Sequence, residues 1–277
     1  MRAREGDEPV LGAVLPDGRC VTYRVFGDPS GHPVLALHGT PGSRLKYAIA
    51  ADAARALGLR LLSIDRWGYG GTDRHPQPSL AAFAEEAAAF ADALSVGRFG
   101  VIGVSGGGPY AAAVAAVLSR RITGLALVAP VGRMAGVAKP PGMTLFHRVV
   151  FRGLPRTPGA MRAIFAGFRV LLARHPSLAL RVSALRAAPV DRRVLLGRPE
   201  GQALLDTFVT GLAPGVDGPV VDLRLFSAPW DVDLGAISAP SRLWIGDADR
   251  HVPIPAARLL AASIPACDCV DLPGAGH

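Results

Sequence analysis

The sequence contains very little lysine. Of its 30 basic residues only Lys46 and Lys139 are lysines, so the formal net charge of +8 comes almost entirely from arginine. A charge of this sign can attract nucleic acid or an anionic membrane. The arginines, however, are spread along the chain and form no dense basic run with interleaved aromatic residues. This pattern indicates a general preference for arginine, and we expect neither nucleic acid nor a membrane as a partner.

Cysteine is also scarce. The three cysteines are Cys20, Cys267 and Cys269, and the last two are two residues apart in a predicted strand, so their side chains point the same way. An odd number with this spacing does not indicate a disulfide framework, and no C-x-x-C pair typical of a metal site is present. The sequence therefore predicts no bound metal, and the reducing cytoplasm is the expected location.

Long apolar segments are absent as well. The first twelve residues hold no apolar stretch of the length that a secretory signal needs. The 21 uncharged residues between Arg98 and Arg120 are interrupted at positions 105–109 by Ser-Gly-Gly-Gly-Pro, which would break a continuous helix. This segment predicts a buried strand, a tight turn and a buried helix instead of a membrane span.

What the sequence does contain is an alternation of short apolar runs with helical stretches. Strands are predicted at residues 10–15, 20–26, 33–38, 59–64, 99–104, 122–128, 241–245 and 268–272, and helices at 44–57, 79–94, 109–118 and 255–263. This rhythm is typical of βα units and a mostly parallel sheet. It stops between about residues 132 and 236, where helical patches and prolines replace it. We therefore predict an α/β fold with a mostly parallel central sheet flanked by helices, built from residues 1–131 and 236–277, and an inserted helical cap at 132–235.

The segment Gly-Val-Ser-Gly-Gly at 103–107 matches G-x-S-x-G. It follows the predicted strand 99–104 and precedes the predicted helix 109–118, which is the context that a nucleophilic serine requires. A serine on such a sharp turn needs small neighbours two residues away on either side, and both are glycine. The helix N-terminus adds backbone N–H groups beside the developing negative charge. The alternative is a glycine-rich turn in which Ser105 only caps the helix.

A second loop follows the predicted strand 33–38. Its sequence, His-Gly-Thr-Pro-Gly-Ser, places Gly39 and Thr40 near the nucleophile turn. We predict that the backbone N–H groups of Thr40 and Gly106 form an oxyanion hole. Pro41 has no N–H and cannot contribute. For His38 we expect a structural role in this oxyanion loop, since it precedes the serine in the chain and stands in the glycine turn.

The acid and the base are expected after the nucleophile, in the order Ser, Asp, His. Asp247 and Asp249 end the predicted strand 241–245, at the sheet edge where active sites of α/β proteins gather. We prefer Asp249 because it lies further into the loop. Only His251 and His277 follow it, and His251 is too close to Asp249 in sequence to bridge it to a distant serine. His277 is therefore the predicted base.

Five segments together resemble the α/β-hydrolase fold family over nearly the whole chain. They are HGTPGS, DRWGYGGTD, GVSGGGP, GDADRHVP and PGAGH, in that order. The second is similar to a D-R-x-G-x-G-x-S stretch of the family, and residues 229–240 look like the return from a helical lid to the core. Epoxide hydrolases and haloalkane dehalogenases of this fold carry an aspartate at the nucleophile position. With Ser105 there, the resemblance implies hydrolysis of an ester, thioester, lactone or amide through an acyl-enzyme, without a cofactor.

Two other readings stay open. The HG-x-PG loop also looks like that of proline iminopeptidases, which would make the protein an aminopeptidase. Family members normally continue past the catalytic histidine into a final helix, whereas this sequence stops at His277. The alternative function is therefore that of a shortened or non-catalytic relative that binds a small molecule.

The substrate is expected to be a small molecule that binds between the sheet edge and the cap. Met134, Phe146 and Trp230 are candidates to line this pocket because they flank or lie in the insertion. Each of them is also a candidate for ordinary cap core.

Overall fold

The centre of the protein is one eight-stranded sheet. The computed structural model describes residues 10–134, 144–197 and 199–277. Its strands are β1 (Leu11–Val14), β2 (Cys20–Gly27), β3 (His32–Leu37), β4 (Leu59–Ile64), β5 (Phe99–Val104), β6 (Ile122–Val128), β7 (Ser241–Gly246) and β8 (Cys267–Leu272). They are ordered β1-β2-β4-β3-β5-β6-β7-β8. Residues 1–9, in which we expect no secretory signal, and Lys139 lie outside the described residues.

All neighbouring strands from β4 to β8 run parallel, whereas β2 is antiparallel to both β1 and β4. This confirms the predicted mostly parallel sheet. Alternate side chains of β3 pack into different hydrophobic clusters, which shows that both faces of the sheet are covered here. Leu35 and Leu37 pack into the large hydrophobic cluster, while Ala36 between them packs into a smaller cluster with Tyr47. A strand in the middle of a parallel sheet is buried on both sides in this way.

Helices flank the sheet where the pattern predicts them. They are α1 (Ala51–Ala56), α2 (Leu80–Ala93), α3 (Gly108–Val117) and, near the end, α10 (Ile254–Ala262). Ser79 caps α2 as expected, since its Oγ accepts the N–H of Ala82 at 3.1 Å. Nine of the ten residues of α3 are buried, because this helix lies between the sheet and α2.

The predicted helix at 44–57 is only partly α-helical. Residues Arg44–Ala50 form a 3₁₀ helix, and the α-helix begins at Ala51. The first N–H groups of this segment bind side chains: Arg44 donates to Asp65 and Leu45 donates to Ser43. These partners hold the chain close to the end of β4 and favour the tighter turn.

Between β6 and β7 the described chain forms helices and no strand. We call α4 (Leu145–Arg148), α5 (Pro158–Arg174), α6 (Pro176–Ala184), α7 (Pro189–Leu195), α8 (Glu200–Leu212) and α9 (Asp217–Ser227) the cap helices. α8 packs against the Arg44–Ala50 segment and α9 lies beside α5. The division into core and cap domains stays a prediction. In the described parts of the chain no helix has the length and apolarity needed to cross a membrane. All three cysteines are free thiols.

Candidate active site

Ser105 stands on a strained turn between β5 and α3. Its φ of 53° lies in the left-handed region, which a residue with a side chain rarely adopts. The neighbouring glycines are required by close approach. A Cβ at Gly103 would lie 2.5 Å from the Gly107 carbonyl oxygen, and a Cβ at Gly107 would lie 2.3 Å from the Leu37 carbonyl oxygen. The turn therefore presents the serine hydroxyl at the carboxyl end of the sheet.

The structure brings the predicted nucleophile, base and acid together. His277 Nε2 lies 2.9 Å from Ser105 Oγ, and His277 Nδ1 lies 2.7 Å from Asp249 Oδ2. The three residues follow β5, β7 and β8, whose carboxyl ends meet at one edge of the sheet. Their side chains form a continuous hydrogen-bonded chain from carboxylate to hydroxyl, an arrangement suited to removing the serine proton.

The Asp249 carboxylate is held in its ionised form. Its Oδ1 accepts the backbone N–H groups of His251 and Val252 at 2.8 and 3.0 Å. Burial raises the pKa of Asp249, but the hydrogen bond and charge of His277, together with these two N–H groups, outweigh burial and bring the pKa below its ordinary value. The acid is therefore charged at neutral pH and can stabilise an imidazolium.

Asp247 and His251, the candidates not chosen for acid and base, have other partners. Asp247 Oδ1 accepts the N–H of Gly274 at 2.8 Å, which ties the loop before His277 to the loop after β7. The ring of His251 lies beside that of His277, with 5.1 Å between centroids. Burial and the His277 charge lower the pKa of His251, so its imidazole is neutral at neutral pH.

The oxyanion loop lies directly against the nucleophile turn. A Cβ at Gly39 would be 3.3 Å from the Ser105 Cβ, and a Cβ at Gly106 would be 2.1 Å from the Thr40 Oγ1. The two predicted donors, Thr40 and Gly106, are therefore adjacent. Among the described residues the Thr40 N–H has no hydrogen-bond acceptor.

His38 is fully buried behind this loop. Its Nε2 accepts the Arg66 N–H at 3.2 Å, so Nδ1 carries the proton and donates to the Gly39 carbonyl oxygen at 2.7 Å. Burial and the Arg66 charge hold the pKa of His38 well below its ordinary value. The neutral imidazole thus braces the backbone of the loop and forms no hydrogen bond with Ser105 Oγ.

The residues proposed for the substrate pocket are dispersed. Met134 and Trp230 are buried in the main hydrophobic cluster. The Phe146 ring lies under the Arg186 guanidinium at 3.9 Å. A cavity of about 700 Å³ between the cap and the core reaches Asp249 and is lined by His147 and Arg186, but by none of the three candidates. Their contact with a substrate stays a prediction.

Two acidic residues of the cap helices were missed by sequence reasoning. Asp191 on α7 accepts the backbone N–H of His277 with both carboxylate oxygens, at 3.1 and 3.0 Å. Asp222 on α9 binds side chains behind the oxyanion loop. Neither lies in a recognisable motif. No group of three or more His, Cys, Asp or Glu side chains within the described ranges could hold a metal ion.

Comparison with known proteins assigns the chain to a family. An α/β-hydrolase fold model matches residues 32–277. An α/β-hydrolase fold protein from Nakamurella multipartita is 26% identical, with a TM-score of 0.68, and the alignment covers 96% of this chain and 91% of that one.

An esterase from Rhodococcus sp. ECU1013 is 25% identical, with a TM-score of 0.67 and coverage of 98% and 92%. An enol-lactonase from Burkholderia xenovorans LB400 shares the fold at 19% identity, with a TM-score of 0.66 and coverage of 95% and 91%. No curated protein matches the chain. The comparisons support a hydrolase, and this chain belongs to the α/β-hydrolase fold family.

Proposed function

We propose that this protein is a serine hydrolase that cleaves carboxylic esters, including lactones, through an acyl-enzyme on Ser105. The observation that carries the proposal is the hydrogen-bonded chain from Asp249 through His277 to Ser105 Oγ, at 2.7 and 2.9 Å. Three loops far apart in sequence supply these groups, and each group stands in the order and geometry that nucleophilic catalysis needs.

The reaction begins when His277 Nε2 takes the proton of Ser105 as Oγ attacks the carbonyl carbon. Asp249 orients the imidazole through Nδ1–H and stabilises the cation that forms. The backbone N–H groups of Thr40 and Gly106 receive the negative charge of the carbonyl oxygen. The imidazolium then protonates the departing alkoxide, which leaves the acyl group on Ser105. Water, deprotonated by His277, attacks the acyl-enzyme and releases the acid and free enzyme.

The state of Asp222 favours an ester substrate over a peptide with a free amino group. An aminopeptidase holds the substrate ammonium with a negative charge near the scissile bond. The Asp222 carboxylate behind the oxyanion loop is buried and already pairs with Arg66, so it is not free for this role. The esterase and enol-lactonase among the similar structures agree with this choice of substrate class.

Hydrolysis of p-nitrophenyl butyrate by the purified chain tests the proposal. We expect turnover in the parent and a loss of at least several thousand-fold in kcat for Ser105→Ala and His277→Gln. His251→Gln is the matched control, because it changes the adjacent imidazole and keeps the backbone N–H that binds Asp249. It should retain kcat within about threefold, since its ring takes no part in the proton transfer.

A fluorophosphonate probe provides a second readout that does not depend on the choice of ester. It should label Ser105 in the folded parent and leave Ser105→Ala unlabelled. A folded parent that neither turns over the ester nor reacts with the probe would favour the non-catalytic alternative. Equal activity in parent and Ser105→Ala would refute the nucleophile.

A further inference from the structure

A buried carboxylate of the cap binds four side chains of the core. Asp222 Oδ1 accepts the Tyr110 hydroxyl at 2.6 Å, and Oδ2 accepts the Tyr69 hydroxyl at 2.7 Å. The same Oδ2 accepts the Thr40 hydroxyl and one N–H of the Arg66 guanidinium. Asp222 and Arg66 are each only 1% exposed. The carboxylate is therefore enclosed by core donors and is not accessible to a substrate.

The charges of this cluster balance, and its hydroxyl groups remain donors. Asp222 and Arg66 form one buried ion pair. Burial raises the pKa of Tyr69 and of Tyr110 well above the ordinary value, and the Asp222 charge raises both further. Both phenols therefore keep their protons throughout the neutral range. A buried ion pair is weak evidence for stability, because apolar residues in the same space often stabilise a fold as well. We therefore consider which neighbouring groups the Asp222–Arg66 pair positions.

The Thr40 side chain is fixed by this pair. Its hydroxyl donates to Asp222 and accepts an N–H of Arg66 at 3.1 Å. The hydroxyl hydrogen is thus committed, and only the backbone N–H of Thr40 can reach an oxyanion.

Helix α9 also covers the second donor. A Cβ on Gly106 would lie 2.1 Å from the Thr40 Oγ1 and 3.2 Å from a ring carbon of Phe226. Phe226 follows Asp222 by four residues on α9, so both side chains point from one helix face toward the oxyanion loop and the nucleophile turn. One face of a cap helix therefore contacts both predicted oxyanion donors.

We propose that Asp222 is a positioning residue for the oxyanion hole: from the cap, it holds the Thr40 hydroxyl and thereby sets the direction of the Thr40 backbone N–H. The inference rests on the proposed acyl-enzyme reaction. Complete removal of one oxyanion donor lowers kcat about 10²- to 10³-fold. A donor that is present but misdirected should lose part of that, about 10- to 50-fold.

The test compares two hydroxyl deletions on one acceptor atom. Thr40→Val replaces the hydroxyl by a methyl group of similar size and leaves the Asp222–Arg66 pair intact. Tyr69→Phe is the matched control, because it removes another hydroxyl from the same Asp222 Oδ2 and touches neither oxyanion donor. Thr40→Val loses the hydrogen bond to Asp222 and the one from Arg66, whereas Tyr69→Phe loses a single hydrogen bond. A purely structural role would therefore lower the melting temperature of both variants and leave kcat of both near that of the parent. Asp222→Asn and the Thr40→Val/Asp222→Asn double variant complete a cycle.

Three readouts separate positioning from folding: kcat and KM for p-nitrophenyl butyrate, the melting temperature, and the inhibition constant of an aryl trifluoromethyl ketone. Serine adds to this ketone and places an oxyanion in the hole, so its affinity reports the hole directly. For Thr40→Val we expect kcat to fall about 10- to 50-fold with KM within twofold, and inhibitor affinity to fall by a similar factor. Tyr69→Phe should lower the melting temperature and keep kcat within twofold.

The cycle distinguishes an indirect from a direct role of the Thr40 hydroxyl. If Asp222 acts through Thr40, the double variant should be no slower than Asp222→Asn alone. If Asp222→Asn does not fold, Thr40→Val and Tyr69→Phe decide the question by themselves.

Equal losses of kcat in Thr40→Val and Tyr69→Phe, or a Thr40→Val variant with the kcat and inhibitor affinity of the parent, would overturn the positioning role. In that case an active parent and an inactive Ser105→Ala variant would leave the proposed hydrolase standing. A parent that is itself inactive removes the hydrolase and the positioning role together.

Discussion

Replacing Asp249 by asparagine should lower turnover by several orders of magnitude although the side chain keeps its shape and its place. Asp249 Oδ1 accepts two backbone N–H groups, at 2.8 and 3.0 Å. An asparagine must keep its carbonyl oxygen there, because an amide NH₂ cannot accept those bonds. Its NH₂ group then faces His277 Nδ1 at the position of Oδ2, 2.7 Å away.

This orientation reverses the tautomer of the base. His277 Nδ1 becomes the acceptor, so Nε2 carries the proton and points it at Ser105 Oγ, 2.9 Å away. A protonated Nε2 cannot take the serine proton. Loss of the correct tautomer in a triad of this kind lowers kcat about 10⁴-fold, which corresponds to about 5.5 kcal/mol at 1.36 kcal/mol for each factor of ten.

The assay is kcat for p-nitrophenyl butyrate between pH 7 and 8, with thermal melts of each variant. Asp249→Asn should melt within a few degrees of the parent, since it keeps both backbone hydrogen bonds. Asp247→Asn is the matched control: its Oδ1 accepts the Gly274 N–H, and the amide oxygen can keep that bond. It should retain kcat within about threefold. A folded Asp249→Asn variant within tenfold of the parent, or an Asp247→Asn variant that is as slow, would refute the assignment of the acid.

Three further outcomes are expected. Burial and the Arg66 charge hold the pKa of His38 well below 6.5, so the folded protein keeps this histidine neutral while the unfolded chain binds a proton below about pH 6.5. The contribution of His38 to the free energy of unfolding is therefore complete above that pH, and it is lost at up to about 1.4 kcal/mol per pH unit as the pH falls. In urea unfolding, the parent should therefore lose about 1 kcal/mol more than His38→Gln between pH 7 and 5.5, and equal losses would contradict a neutral buried imidazole. Gly167→Ala in exposed α5, where an added Cβ meets nothing within 4 Å, should raise the unfolding free energy by about 0.5–1 kcal/mol, whereas Gly103→Ala, whose Cβ would lie 2.5 Å from a carbonyl oxygen, should lower it by more than about 1 kcal/mol. Asp191→Ala removes the acceptor of the His277 N–H and should lower kcat about tenfold. Asp191→Asn keeps an acceptor and should retain kcat within threefold of the parent. Equal kcat values for the two variants would show that this contact does not orient the base.

The fold was largely predictable because its signals are local. The strand–Ser105–helix unit combines an apolar run, a glycine turn and an alanine-rich helix within about twenty residues, and each of these is a short-range preference. The 3₁₀ segment Arg44–Ala50 was not predicted, because its tight turn depends on Asp65, which is 21 residues away from Arg44. Alanine-rich composition favours an α-helix there, and the tertiary contact overrides that preference.

The residues that support the site were not predictable in the same way. Asp191 meets His277 across 86 residues, and Asp222 meets Thr40 across 182. Both pairs depend on how the cap helices dock on the core, which no periodicity of charge or hydrophobicity indicates. An isolated aspartate on an amphipathic helix is most often a solvated side chain. The burial of Asp222 against Arg66 can be recognised only when the cap helices are placed against the core.

The segment at 65–73, whose sequence is similar to a stretch of the α/β-hydrolase family, has a physical role in this docking. Arg66 and Tyr69 both reach Asp222 on α9. Gly68 lets the same loop approach that helix, since an added Cβ would lie 2.9 Å from the Gly218 nitrogen. The loop therefore joins the end of β4 to the cap helix that covers the two predicted oxyanion donors. Replacing Arg66 or adding a side chain at Gly68 should affect activity through the position of the cap, even though neither residue forms a hydrogen bond with Ser105 Oγ. Tyr69→Phe removes only one of the hydrogen bonds to Asp222 and should leave kcat near that of the parent.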